Sequence, residues 1–149
     1  MRPIILLSIF ATIWWGTDAC SCIALTQQNS YCLSNWISHA RVLGKQNLGN
    51  SVEYTVQHIE VFKSHTSMLP NKVFTTSSST ACGQTNLNIG TDYLLSGTIN
   101  SGTQALQLST CLYMPGDDYQ TTGVLQWNQV PADLYQRLQK KNFQACPVS

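Results

Sequence analysis

From residue 52 to residue 63 the chain is rich in β-branched and aromatic side chains, with Tyr54, Val56 and His58 falling on one face. That two-residue period predicts a long strand. Shorter strands are predicted over 72–76, 93–99 and 105–110, with the hairpin signal Asn100-Ser101-Gly102-Thr103 between the last two. Residues 41–43 read as the start of a first strand, and the polar, glycine-containing stretch 45–51 reads as a short turn after it. Two segments follow a helical period instead. Over 29–40, Tyr31, Trp36, Ile37 and Ala40 recur at roughly helical spacing behind a capping Ser30. In the tail, Pro131 stands where a helix can start, and Leu134, Tyr135 and Leu138 follow on one face. A short helix, about five strands and a final helix predict a mainly β protein, a small closed five-stranded barrel with flanking helices.

The opening residues have a different character. Arg2 precedes an apolar run from Ile4 to Trp15, and Gly16-Thr17-Asp18-Ala19 supplies small residues at the −3 and −1 positions of a cut after Ala19. Residues 1–19 therefore read as a signal peptide too short for a comfortable membrane span, and 20–149 as one secreted domain. Beyond residue 19 the chain holds seven Lys/Arg and six Asp/Glu. That near-neutral balance offers no electrostatic footprint for nucleic acid or an anionic membrane. Lys140-Lys141 reads as a solvated helix end.

All six cysteines, Cys20, Cys22, Cys32, Cys82, Cys111 and Cys146, follow the signal segment. An even count in an exported chain predicts three disulfides, for which sequence alone allows fifteen pairings. Zinc-finger spacing is absent, as are His-Glu-x-x-His, the Gly-x-Ser-x-Gly elbow, a phosphate loop and any Asn-x-Ser/Thr sequon. The three histidines His39, His58 and His65 read as structural or exposed. Asp117-Asp118 reads as a turn and Trp36 and Trp127 as packing residues, while Tyr119 has no role in this reading. The composition thus points away from an enzyme and from any cofactor of the chain's own.

The start of the predicted mature chain, Cys20-Ser21-Cys22-Ile23, is the most informative feature. With it go Tyr31-Cys32, Ala40-Arg41-Val42, Glu53-Tyr54-Thr55-Val56 through Val61-Phe62-Lys63, Thr80-Ala81-Cys82-Gly83, Asp92-Tyr93-Leu94-Leu95-Ser96-Gly97 and Leu108-Ser109-Thr110-Cys111. Together these segments resemble the amino-terminal, netrin-like domain of the tissue inhibitors of metalloproteinases. The chain ends three residues after Cys146, which matches the single-domain invertebrate type. It departs from the common pattern at Ala24 and Gly116, where proline and tryptophan are usual, and in the short turn at 45–51.

The resemblance implies an OB-type barrel stapled by Cys20–Cys82, Cys22–Cys111 and Cys32–Cys146. It implies a secreted, monomeric inhibitor whose partners are zinc metalloproteinases of the matrix type. Cys20 would meet the protease zinc through its backbone α-amine and carbonyl, its thiol being consumed in a disulfide. Ser21 would enter the specificity pocket, Cys22 and Ile23 would extend along the cleft, and Ser79 and Thr80 would form a second contact segment. A small Ser21 implies broad selectivity. The rival expectation is a netrin-like module that binds proteins or matrix and inhibits nothing, since fold does not fix function. The two readings part at Cys20, which an inhibitor needs as a free amino terminus.

Overall fold

The computed structural model describes residues 20–148, so the signal segment expected over 1–19 lies outside the described residues. Among those described, the order is α1 (Gln27–Leu33), β1 (Trp36–Asn47), β2 (Ser51–Lys63), β3 (Lys72–Thr76), β4 (Asp92–Ile99), β5 (Leu106–Gln107), β6 (Leu125–Gln126) and α2 (Ala132–Lys140). Single 3-10 turns occupy Ser79–Ala81 and Trp127–Gln129.

β1 pairs antiparallel with β2 on one side and β4 on the other, and β2 pairs antiparallel with β3. β3 then meets β5 in parallel, and β5 meets β4 antiparallel. Followed round, these pairings return to β1. The result is a closed ring in the order β1-β2-β3-β5-β4, with β6 appended to β4. A mainly β ring with flanking helices and three disulfides is the netrin-like OB arrangement expected from the sequence, and closure removes most of the free strand edges.

The alternation along the strands sorts side chains into two cores. Trp36, Val42, Tyr54, Val56, Val73, Leu95 and Leu106 belong to the first. Ile37, Phe62, Leu94 and Met114 belong to the second, which also takes in Leu134 and Leu138 of α2. Leu134 and Leu138 are fully buried, so the apolar stripe read in the tail is the face α2 packs inward. Arg137 and Lys140 in its last turn suit the negative end of the helix dipole.

One expected element is misplaced. The helix predicted over 29–40 with Ser30 as its cap is the shorter α1, capped by Thr26, whose Oγ1 accepts from Asn29 N at 3.0 Å. Ser30 is buried inside that helix and its hydroxyl donates to the Tyr113 carbonyl. Trp36, Ile37 and Ala40 lie in β1, which starts earlier than the 41–43 expected. Hydrogen-bonded neighbours on both sides place the start of β1 in mid-sheet, so Trp36 fills one core and Ile37 the other. An apolar pair at consecutive positions loses its strand signature when both faces are covered.

Two further boundaries differ. β1 runs on to Asn47 and β2 restarts at Ser51, leaving a turn tighter than 45–51, closed by Leu48 N to Ser51 O at 2.8 Å. The strand predicted over 105–110 contracts to Leu106–Gln107, followed by an isolated bridge between Ser109 and Leu112. β6 was not anticipated, since two residues carry no period.

The ring closes tightly at Gly97 of β4. A Cβ there would stand 1.9 Å from the Gln107 carbonyl oxygen of β5 and 3.1 Å from Trp36 Nε1. His58 on β2 ties the ring to the following loop. Its Nε2 donates to the Pro70 carbonyl at 2.7 Å, which leaves Nδ1 to accept from the Ser38 hydroxyl, also at 2.7 Å. Burial, partly offset by the Pro70 bond, holds the imidazole below its ordinary pKa.

Gly97→Ala is therefore expected to lower unfolding free energy by about 2 kcal/mol or more, measured by urea denaturation, because backbone must move to admit the methyl. His58 generates a pH dependence of definite sign. As pH falls below about 6.5 the unfolded chain takes up a proton that the folded protein resists, so stability is lost on the acid side and is at its full value above. Melting curves between about pH 7.5 and about pH 5 should show this slope, and His58→Gln should flatten it.

Candidate functional site

Residues 20–26 form no regular structure; they run over one end of the ring into α1. Two bridges hold the start of this segment. Cys20 is bonded to Cys82 with Cα atoms 5.1 Å apart, and Cys22 to Cys111 with Cα atoms 5.0 Å apart. The third bridge, Cys32–Cys146, fastens the end of α1 to the carboxyl-terminal tail, with Cα atoms 5.3 Å apart. That tail is also held by Tyr31 stacked on Phe143 at 3.9 Å, and by Gln28 and Gln144 exchanging hydrogen bonds.

The two receiving cysteines are themselves joined. Thr110 N donates to the Cys82 carbonyl at 2.9 Å, and Cys111 N to Ser109 Oγ at 3.1 Å. Cys82 has a left-handed backbone, φ 64°, at the end of the Ser79–Ala81 turn. Gly83 follows because a Cβ there would lie 2.1 Å from the Thr76 carbonyl oxygen. The turn is closed by Cys82 N to Ser79 O and Gly83 N to Ser78 O, with Ser78 and Thr80 hydroxyls 2.7 Å apart. The sulfurs of Cys20, Cys22, Cys82 and Cys111 all lie within 4.8 Å of one another. Each is committed to a disulfide, so the cluster is a cross-linked base for the segment above it and offers no thiolate to a metal.

On this base Ser21, Cys22 and Ile23 face solvent, Ile23 with 85% of its surface exposed. An isoleucine so exposed on a doubly tethered segment is an apolar group presented outward. Ser79 and Thr80 are also exposed. The two groups of residues stand at the same end of the molecule. A concavity lined by Cys20, Cys22 and Ile23 and another lined by Ser79 share the walls Thr110, Thr122 and Gly123. Sequence reasoning did not single out Thr110, Tyr113 or the 121–123 stretch as part of this surface. Proximity to Cys111 was the available signal for the first two, and there was none for the third.

The histidines lie elsewhere in the fold. His39 is buried, stacked on Trp127 at 3.8 Å, with Nε2 2.8 Å from Asp92 Oδ2. The Arg41 guanidinium, 2.7 Å away, is the main reason Asp92 stays below the usual carboxylate range. His65 is exposed in the loop after β2. None of the described helices is long and apolar enough to cross a membrane.

A closed OB-like ring carrying a largely exposed segment at 20–23 clamped by two disulfides defines a netrin-like module. The family described as tissue inhibitor of metalloproteinase matches residues 18–147. The Caenorhabditis elegans protein named "Putative metalloproteinase inhibitor tag-225" is 37% identical over 147 residues, spanning 88% of this chain and 90% of that protein. The chain belongs to the tissue inhibitor of metalloproteinase family.

Proposed function

We propose that this protein is a secreted, monomeric inhibitor of zinc metalloproteinases of the matrix type, acting through the end of the chain created by cleavage after Ala19. A catalytic zinc has three protein ligands and an open position that holds water. A free Cys20 carries an α-amine and a carbonyl oxygen spaced to close a five-membered chelate ring on that metal and displace the water. Ser21 then enters the specificity pocket, Ile23 lies along the cleft, and Ser79 and Thr80 touch its wall.

The observation that carries this reading is the double clamp on an otherwise exposed segment. Cys20 and Cys22 are both bridged to the body, while Ser21 and Ile23 between and beyond them remain exposed. Order imposed before binding lowers the entropic cost of a tight interface. Family membership supports the same reading, as does the name of the nematode relative. The small Ser21 side chain leaves a deep apolar pocket partly unfilled, which favours breadth of target over selectivity.

The decisive comparison is between the protein beginning at Cys20 and a form with one alanine added before it, each terminus verified by mass spectrometry. Nanomolar inhibition of one or more metalloproteinases by the first, lost in the second, is expected. A correctly folded protein beginning at Cys20 that inhibits none of a broad panel would instead identify a non-inhibitory netrin-like module. The amine must shed its proton to bind zinc, at a cost of about 1.4 kcal/mol at pH 7 for a group of pKa about 8. Inhibition constants, corrected for the protease's own titration, should therefore tighten as pH rises from about 6 and level off above about 8.

A further inference from the structure

We infer that residues 116–124, with Tyr119 at their head, form an additional contact ridge for the metalloproteinase seated on the Cys20 segment. The inference rests on the inhibitor reading above and extends the surface that reading uses.

This segment leaves the core after Met114 and Pro115 and rejoins it at Leu125. Residues 117–122 are all exposed, yet the loop is firmly braced. Gln27 N donates to Asp118 Oδ1 at 2.8 Å, and Tyr119 N to the Leu25 carbonyl at 2.9 Å. The buried Gln27 amide donates to the carbonyls of Pro115 and Gly116, at 3.2 and 3.0 Å. Tyr113 donates its hydroxyl to the Gln120 carbonyl at 3.0 Å. Leu25 and Gln27 directly follow the clamped segment, so the loop is coupled to the same stretch of chain that the two disulfides hold.

Its position matches that coupling. Thr121, Thr122 and Gly123 share a concavity of about 350 Å³ with Cys20, Cys22 and Ile23. Gln120 lines a smaller crevice with Ile23. The ridge is thus continuous with the exposed residues assigned to the protease cleft, and a protein docked on Ile23 is brought up against it.

Tyr119 supplies the chemistry. It is 67% exposed and has a left-handed backbone, φ 63°, which a tyrosine adopts at a steric cost. The hydrogen bond from Tyr119 N to Leu25 offsets that cost and leaves the ring exposed, where intramolecular packing gains little from it. Tyrosine is among the side chains enriched at the residues that carry binding energy in protein interfaces. The partner surface it fits is the rim of the active-site cleft, with an apolar patch for the ring and a carbonyl to accept from the phenol.

Tyr119→Gly and Tyr119→Asn separate this role from a structural one, because both residues tolerate the left-handed backbone better than tyrosine. Both variants are expected to melt at or above the wild-type temperature. Both should inhibit at least one protease about tenfold more weakly than wild type, a loss typical of an aromatic interface residue. In the wild-type complex, amide hydrogen exchange should slow at 121–123 relative to the free protein. Unchanged inhibition by both variants, or unchanged exchange at 121–123, overturns the ridge and leaves the Cys20 reading standing. Wild-type protein with a free Cys20 amine that inhibits no protease in the same assay overturns both.

Discussion

The largely exposed segment at 20–23 depends on two disulfides that converge on a single point. Cys20–Cys82 and Cys22–Cys111 span 62 and 89 residues of sequence, and each is worth about 4 kcal/mol on the chain-entropy account. Their larger consequence is local. Residues 20–26 have no regular secondary structure, so nothing in their own backbone pattern would hold them in one conformation. Bonding alternate residues to two segments that are hydrogen-bonded to each other gives that stretch the rigidity of the ring beneath it.

The ring supplies the platform. The bridge-bearing segments follow β3 and β5, the two strands that close the circle in parallel, so closure and clamp share the same end of the barrel. The Gly97 approach of β4 to β5 and the Gly83 approach to Thr76 both draw these segments inward with no room for a side chain. The third bridge works at the opposite end of α1, where it fastens the tail and leaves the leading segment to the other two. Stability and presentation are thus divided between cross-links rather than shared by all three.

Where sequence reasoning went wrong, it did so where no local period could carry the information. Period is informative when one face of an element is wet. The long β2 has an alternating pattern because one of its faces meets solvent, and its limits were read to within a residue. The start of β1 is covered on both faces, so Trp36 and Ile37 are equally buried and resemble one side of a helix. β5 and β6 are too short to have a period at all. The loop is polar and exposed over 117–122, and its place beside the Cys20 segment comes from hydrogen bonds to Leu25 and Gln27, about ninety residues away in sequence.

Taken alone, the amino-acid sequence determined the class: mainly β, disulfide-stapled, with helices at both ends, and akin to the metalloproteinase inhibitors through its spaced cysteine segments. Those properties are local or compositional, and a linear pattern can carry them. Only the tertiary structure decided how the strands pair round the ring, that two cores lie on either side of β1, and that 121–123 line the same end of the molecule as Ile23 and Ser79. These outcomes come from contacts between residues far apart in the chain. Their geometry is set when strands pair and bridges close, and no periodicity in the sequence records it.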